Sequence, residues 1–121
     1  MTLQEELQKF IKGEVKDDEK TLEKYSRDYS IFKVKPLVVV FPKDEEDIKK
    51  LVVFVNKHPK RNLTITARSA GTDMSGGPLT ESIVLDFTKY FNKIKKIGKD
   101  PGLSGVEGYA IVQPGVYYRD F

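Results

Sequence analysis

No stretch constrains this chain more than Arg68-Ser69-Ala70-Gly71-Thr72-Asp73-Met74-Ser75-Gly76-Gly77-Pro78, which sets three glycines among short hydroxyl and carboxylate side chains. Apolar runs flank it, Leu63-Thr64-Ile65-Thr66-Ala67 before and Ile83-Val84-Leu85-Asp86-Phe87 after. Their alternation and their β-branched or aromatic content predict strands. A loop of small residues between strands lets the backbone come close to a ligand, because glycine has no Cβ in the way. Successive backbone N–H groups in such turns can converge on an anion, and Arg68 adds a positive charge beside them. These features point to a diphosphate. The alternative is a structural crossover that happens to be glycine-rich, and loop composition alone favours it.

Two common phosphate loops are excluded. A Walker A loop needs Gly-Lys-Ser/Thr before a helix, whereas Gly76-Gly77 runs into Pro78-Leu79. A dinucleotide fingerprint needs Gly-x-Gly-x-x-Gly opening a helix, and here the glycines stand at 71, 76 and 77 and lead into a strand. Position favours a ligand. Leu37-Val38-Val39-Val40-Phe41 is apolar on both faces, as in a covered parallel strand, and Pro42 stops it. Asp44 caps a helix with Glu45, Glu46 and Asp47 in its first turn and Ile48, Leu51, Val52 and Val55 as its buried stripe. Strand, helix and strand 63–67 then form a right-handed crossover with the two strands parallel. The glycine loop falls at the carboxyl end of the second strand, where open α/β sheets place ligands.

The remaining segments are less informative. Residues 2–30 are expected to be a mostly solvated helical segment. Thr2 and Glu5 have capping-box spacing, Leu3, Leu7, Phe10 and Ile11 share a face, and Gly13 ends the first helix. A second helix starts near Asp17 or Asp18 and turns Leu22 and Tyr25 inward. Tyr25-Ser26-Arg27-Asp28-Tyr29-Ser30 has the composition of a surface connection with tyrosines lying on the core. His58 ends the central helix between Lys57 and Pro59 and is assigned no role, since the helix dipole favours a surface histidine there. Asp86 ends its strand, where a carboxylate most often satisfies nearby backbone N–H groups. Residues 89–97 mix lysines with aromatics and read as an exposed strand edge guarded by charge. Residues 98–108 are turn-rich, and Tyr109-Ala110-Ile111-Val112-Gln113 is a fourth strand, closed by Pro114-Gly115. Val116-Tyr117-Tyr118-Arg119-Asp120-Phe121 begins a new element and stops, so the chain is expected to be a polypeptide cut short.

Composition narrows the chemistry. With 121 residues the chain makes one core at most. Its 21 basic and 18 acidic residues give a net charge of +3, a mixed surface and not a nucleic-acid footprint, so no nucleic-acid partner is expected. Without cysteine and with one histidine, no thiolate nucleophile, iron–sulfur set or multi-histidine metal site is expected. No run reaches membrane-spanning length and the N-terminus lacks signal-peptide form, which makes a cytoplasmic location the default expectation.

Taken in order, Tyr25-Ser26-Arg27-Asp28, the run 36–42, the loop 68–77, Ile83-Val84-Leu85-Asp86-Phe87 with Phe91-Asn92-Lys93-Ile94, and Val112-Gln113-Pro114-Gly115-Val116 resemble the N-terminal part of the FAD-linked oxidases of the vanillyl-alcohol oxidase type, or PCMH-type flavin domains. Within them the nearest likeness is to the glycolate oxidase and D-lactate dehydrogenase branch. The resemblance implies an α+β fold, a small parallel or mixed β-α-β-β sheet flanked by helices, with residues 31–121 as the first subdomain of the flavin domain after a helical segment 1–30. It implies that Ser69, Ala70, Gly71, Thr72 and Asp73 line the FAD diphosphate, with Ser75, Gly76, Gly77 and Pro78 completing the loop. The Asp73 carboxylate would repel phosphate, so it is expected to turn away and bond its own turn. Some relatives attach the flavin through a histidine in this loop; Thr72 stands there, which implies non-covalent FAD. The parent would be an oxidoreductase acting on a 2-hydroxy acid such as glycolate or lactate. By the same likeness no catalytic residue lies in this chain, and the substrate site belongs to a missing C-terminal half; the alternative is a stand-alone or split-subunit nucleotide-diphosphate binding module completed by a partner subunit.

Overall fold

The computed structural model describes residues 1–99 and 107–120, so most of the stretch 98–108 and the terminal Phe121 lie outside the described residues. The central strands are β2 (Val38–Phe41) and β4 (Ile83–Asp86), and every residue of both is buried. The edges are β1 (Glu14–Lys16), antiparallel to β2, and β3 (Ile65–Arg68), parallel to β4, giving the order β1-β2-β4-β3.

Strand alternation divides the core into two layers. Val38, Val40, Ile83 and Leu85 face Leu7 of α1 (Leu3–Gln8) and Leu51 of α3 (Glu45–Lys57), together with Ile11 and Val15. Val39, Phe41 and Val84 face Leu22 and Tyr25 of α2 (Glu19–Tyr25) on the other side. Helices on both faces explain why the two central strands are apolar as far as Asp86, the last residue of β4. A separate antiparallel pair, β5 (Ile94–Gly98) and β6 (Tyr109–Val112), carries a bulge between Ile94 and Lys96.

The α+β expectation holds, and three local readings change. The first helix ends at Gln8, before Gly13. The Gln8 side chain donates to the carbonyls of Ile11 and Gly13, both at 3.1 Å, and accepts from the Val15 N–H at 2.9 Å, so side-chain bonds replace the next helical turn. That frees residues 14–16 to join the sheet as β1, and Leu7, Ile11 and Val15 become core. Gly13 is required by close approach, since a Cβ there would meet the Phe41 carbonyl oxygen at 1.9 Å. The second change concerns α3: Val52 is 42% exposed, and Phe54 packs against the core together with Ile48 and Val55. Third, β2 and β3 are parallel as expected but not adjacent, because β4 inserts between them.

One carboxylate ties this frame together. Asp47, fully buried in the first turn of α3, accepts from the backbone N–H groups of Lys12 (2.8 Å), Gly13 (2.9 Å) and Lys43 (2.9 Å). The sequence marks it only as a first-turn acid; its task is to join the 12–13 turn and the end of β2 to one helix N-terminus. Thr2 forms its capping box with Glu5, and Asp18 and Asp44 cap α2 and α3.

Candidate functional site

Parallel strands need a crossover, usually helical. Between β3 and β4 the link is residues 69–82, which contain no helix, and this link is the glycine loop. It leaves from the carboxyl end of an edge strand and lines a cavity of about 1090 Å³.

The loop residues separate into two groups. Ser69, Ala70, Gly71, Thr72, Asp73, Gly77 and Pro78 line the cavity; Ser75 and Gly76 do not. Gly71 is buried with φ 70°, a left-handed conformation natural to glycine. A Cβ on it would sit 2.3 Å from Nη2 of Arg68, so the guanidinium occupies the space that a side chain would need. Gly76, at φ 82°, turns the outer end of the loop beneath the Phe32 ring. Asp73 bonds its own turn as expected, its Oδ1 accepting from the Ser75 N–H at 2.7 Å, while the residue still lines the cavity. Its Oδ2 lies over Gly77, 2.7 Å from where a Cβ would stand.

Arg68 supplies the charge. Its guanidinium carbon lies 5.0 Å from the centroid of the Tyr25 ring, and Nη1 is buried without a hydrogen-bond partner. Among the described residues no carboxylate forms an ion pair with it. A buried cationic nitrogen without an acceptor is costly unless an anion completes it. The orphaned Nη1, held against the left-handed Gly71 at the cavity, therefore fits the diphosphate of a nucleotide cofactor.

Three aromatic contributions escaped the sequence. Tyr29, Tyr117 and Tyr118 also line the cavity, drawn from the 26–30 connection and the last described turn. Asp86 plays the structural role expected of it, with Oδ1 accepting from the Thr88 N–H (2.7 Å) and hydroxyl (2.6 Å); its Oδ2 accepts from the Tyr25 hydroxyl at 2.6 Å, a partner that spacing does not reveal. Two lysines of 89–97 are engaged within the fold: Lys89 pairs with Glu14, and Lys96 lies over the Tyr109 ring at 5.7 Å. His58 caps α3 with Nδ1 2.7 Å from the Phe54 carbonyl, away from the cavity. No helix among the described residues is long and apolar enough to cross a membrane.

Comparison with known proteins agrees with this geometry. The model of a family described as FAD binding domain matches residues 36–121. D-2-hydroxyglutarate dehydrogenases are similar: that of Pseudomonas putida is 29% identical over 87 residues, 72% of this chain and 9% of the relative, and that of Escherichia coli 30% over 86 residues, 71% and 8%. The mitochondrial cytochrome D-lactate dehydrogenase of Kluyveromyces lactis is 31% identical over 70 residues, 54% of this chain and 12% of the relative. Among solved structures, 4-ethylphenol oxidase from Gulosibacter chungangensis superposes with TM-score 0.71 at 25% identity, over 93% of this chain and 21% of its own. p-Cresol methylhydroxylase does so with TM-score 0.69 at 23% identity, over 95% and 22%. The chain thus spans about a tenth of these curated relatives and about a fifth of the similar structures. The fold is that of the PCMH-type flavin domain, and the chain belongs to the FAD-binding domain family.

Proposed function

We propose that residues 69–73, with Ser75, Gly76, Gly77 and Pro78 completing the loop, hold the diphosphate of FAD, and that Arg68 supplies its counter-charge. The observation that carries this reading is the unpartnered, buried Nη1 of Arg68 beside the left-handed Gly71 at the rim of the cavity. Backbone N–H groups bind, the guanidinium neutralises charge, and the Asp73 carboxylate is engaged by the Ser75 N–H.

The flavin is held without a covalent bond, since Thr72 offers no nucleophilic ring nitrogen. Residues 31–121 form the first subdomain of the flavin domain in a cytoplasmic oxidoreductase that oxidises a 2-hydroxy acid. The similarity to the D-2-hydroxyglutarate and D-lactate dehydrogenases supports that substrate class. Bound FAD would supply hydride acceptance; the residues of this chain bind and orient its diphosphate. The groups that hold the substrate come from sequence beyond this stretch or from a partner subunit.

The test uses the full-length polypeptide that carries this sequence. Adding D-lactate or D-2-hydroxyglutarate without oxygen should bleach the flavin's visible absorbance, and acid precipitation should leave the flavin in the supernatant. Flavin that is unreduced by any 2-hydroxy acid overturns the substrate class, and flavin retained in the pellet overturns the non-covalent reading.

A further inference from the structure

The diphosphate reading leaves Tyr25-Ser26-Arg27-Asp28-Tyr29 without a task, yet this segment grips the glycine loop at both ends. Tyr25 ends α2 with its ring buried edge-on to Phe41, 5.9 Å between centroids at 83°. Its hydroxyl donates to Asp86, whose other oxygen is held by Thr88. Burial, then the bond to Asp86, push the Tyr25 hydroxyl far above the usual tyrosine range, so it remains a donor. The bond fixes the far end of the side chain, and the Arg68 guanidinium carbon lies 5.0 Å from the ring centroid.

At the outer end, the Tyr29 N–H donates to the Asp73 carbonyl at 3.0 Å. The Phe32 ring covers Gly76, 3.1 Å from where a Cβ would stand. The Val34 N–H donates to the Ser26 carbonyl at 3.0 Å, which closes the segment on itself, and Ser30 bonds Asp28 at 2.7 Å within it. The Arg68 end and the Asp73–Gly76 end of the glycine loop thus rest on one short piece of chain.

We propose that Tyr25 is a positioning residue for the diphosphate site, acting through Arg68, while residues 26–34 brace the outer turn of the same loop. This rests on the diphosphate reading. An arginine without a shelf samples many rotamers and must be ordered on binding, which lowers affinity. A shelved one is ordered beforehand.

The experiment titrates FAD and riboflavin, which lacks the diphosphate, into the flavin-stripped full-length polypeptide. Tyr25→Leu should weaken FAD about tenfold and leave riboflavin unchanged. Tyr25→Phe, which keeps the ring, should stay within about threefold of wild type. In an Arg68→Gln background, Tyr25→Leu should cost nothing further, because its route is already removed. Thermal melts accompany each variant, and affinity is taken per folded molecule. Equal loss of FAD and riboflavin, or full loss in the Arg68→Gln background, overturns the positioning role. If Arg68→Gln alone leaves FAD affinity unchanged, the diphosphate reading fails first.

Discussion

β2 with β4 and the loop leaving β3 obey opposite rules. The central strands are buried at every position, their side chains alternate between two complete apolar layers, and Asp47 beside them bonds three backbone N–H groups. The loop has two left-handed glycines, a buried guanidinium nitrogen without a partner, and a wall of exposed small residues. Satisfied polar groups and filled volume supply stability, whereas unsatisfied groups at a cavity mark where a ligand completes the structure. The comparison predicts that substitutions divide: in the frame they change folding, and in the loop they change binding.

Asp47→Ala should break the frame most severely. It strands three backbone donors and should cost about 3 kcal/mol or more in urea unfolding. Leu51→Ala, which opens a hole under β2 and β4, should cost about 2–5 kcal/mol by the same measurement. Both should leave FAD affinity per folded molecule near wild type.

Gly71→Ala should straddle the division. A non-glycine residue at φ 70° costs about 1–2 kcal/mol, and its Cβ displaces Arg68, so titration should show FAD binding weakened at least about tenfold. Arg68→Gln should sharpen the contrast: stability changes by less than about 1 kcal/mol, because an unsatisfied group is lost with the ring contact, yet FAD affinity falls.

The smallest effect belongs to surface charge. Glu6 is held below the ordinary carboxylate range by Arg61, Glu23 by Lys33, Asp44 by Lys12 and Asp18 by Thr21. Each folded-state value lies below its unfolded one, so the stabilisation is whole above the ordinary range and drains as pH falls through the lowered values. Acid titration followed by circular dichroism should show loss of structure only below about pH 4, and added salt should shrink the part due to ion pairs.

How legible each region was in the sequence follows from the range of its interactions. The central strands, the caps Thr2 and Asp44, and the Asp73 turn were readable because each is set by neighbours within a few residues, while the second helix's cap stood open between Asp17 and Asp18 until the structure placed it at Asp18. β1 was not: Glu14-Val15-Lys16 is too short for a period, and it exists because Gln8 substitutes for a helical turn and Gly13 permits close approach. The insertion of β4 between β2 and β3 is a pairing choice that no local pattern states. The loop announced itself by composition, but the Tyr25 shelf beneath Arg68 joins distant positions and became visible only in three dimensions.

The central claim is that the glycine loop holds the FAD diphosphate. Its most direct test is the change in backbone amide resonances when FAD is added to the flavin-stripped full-length protein. The largest shifts are expected at Ser69, Ala70, Gly71, Thr72 and Gly77, with the Arg68 side chain following them and β5–β6 unmoved. Shifts centred elsewhere, with the loop amides unchanged, would contradict it.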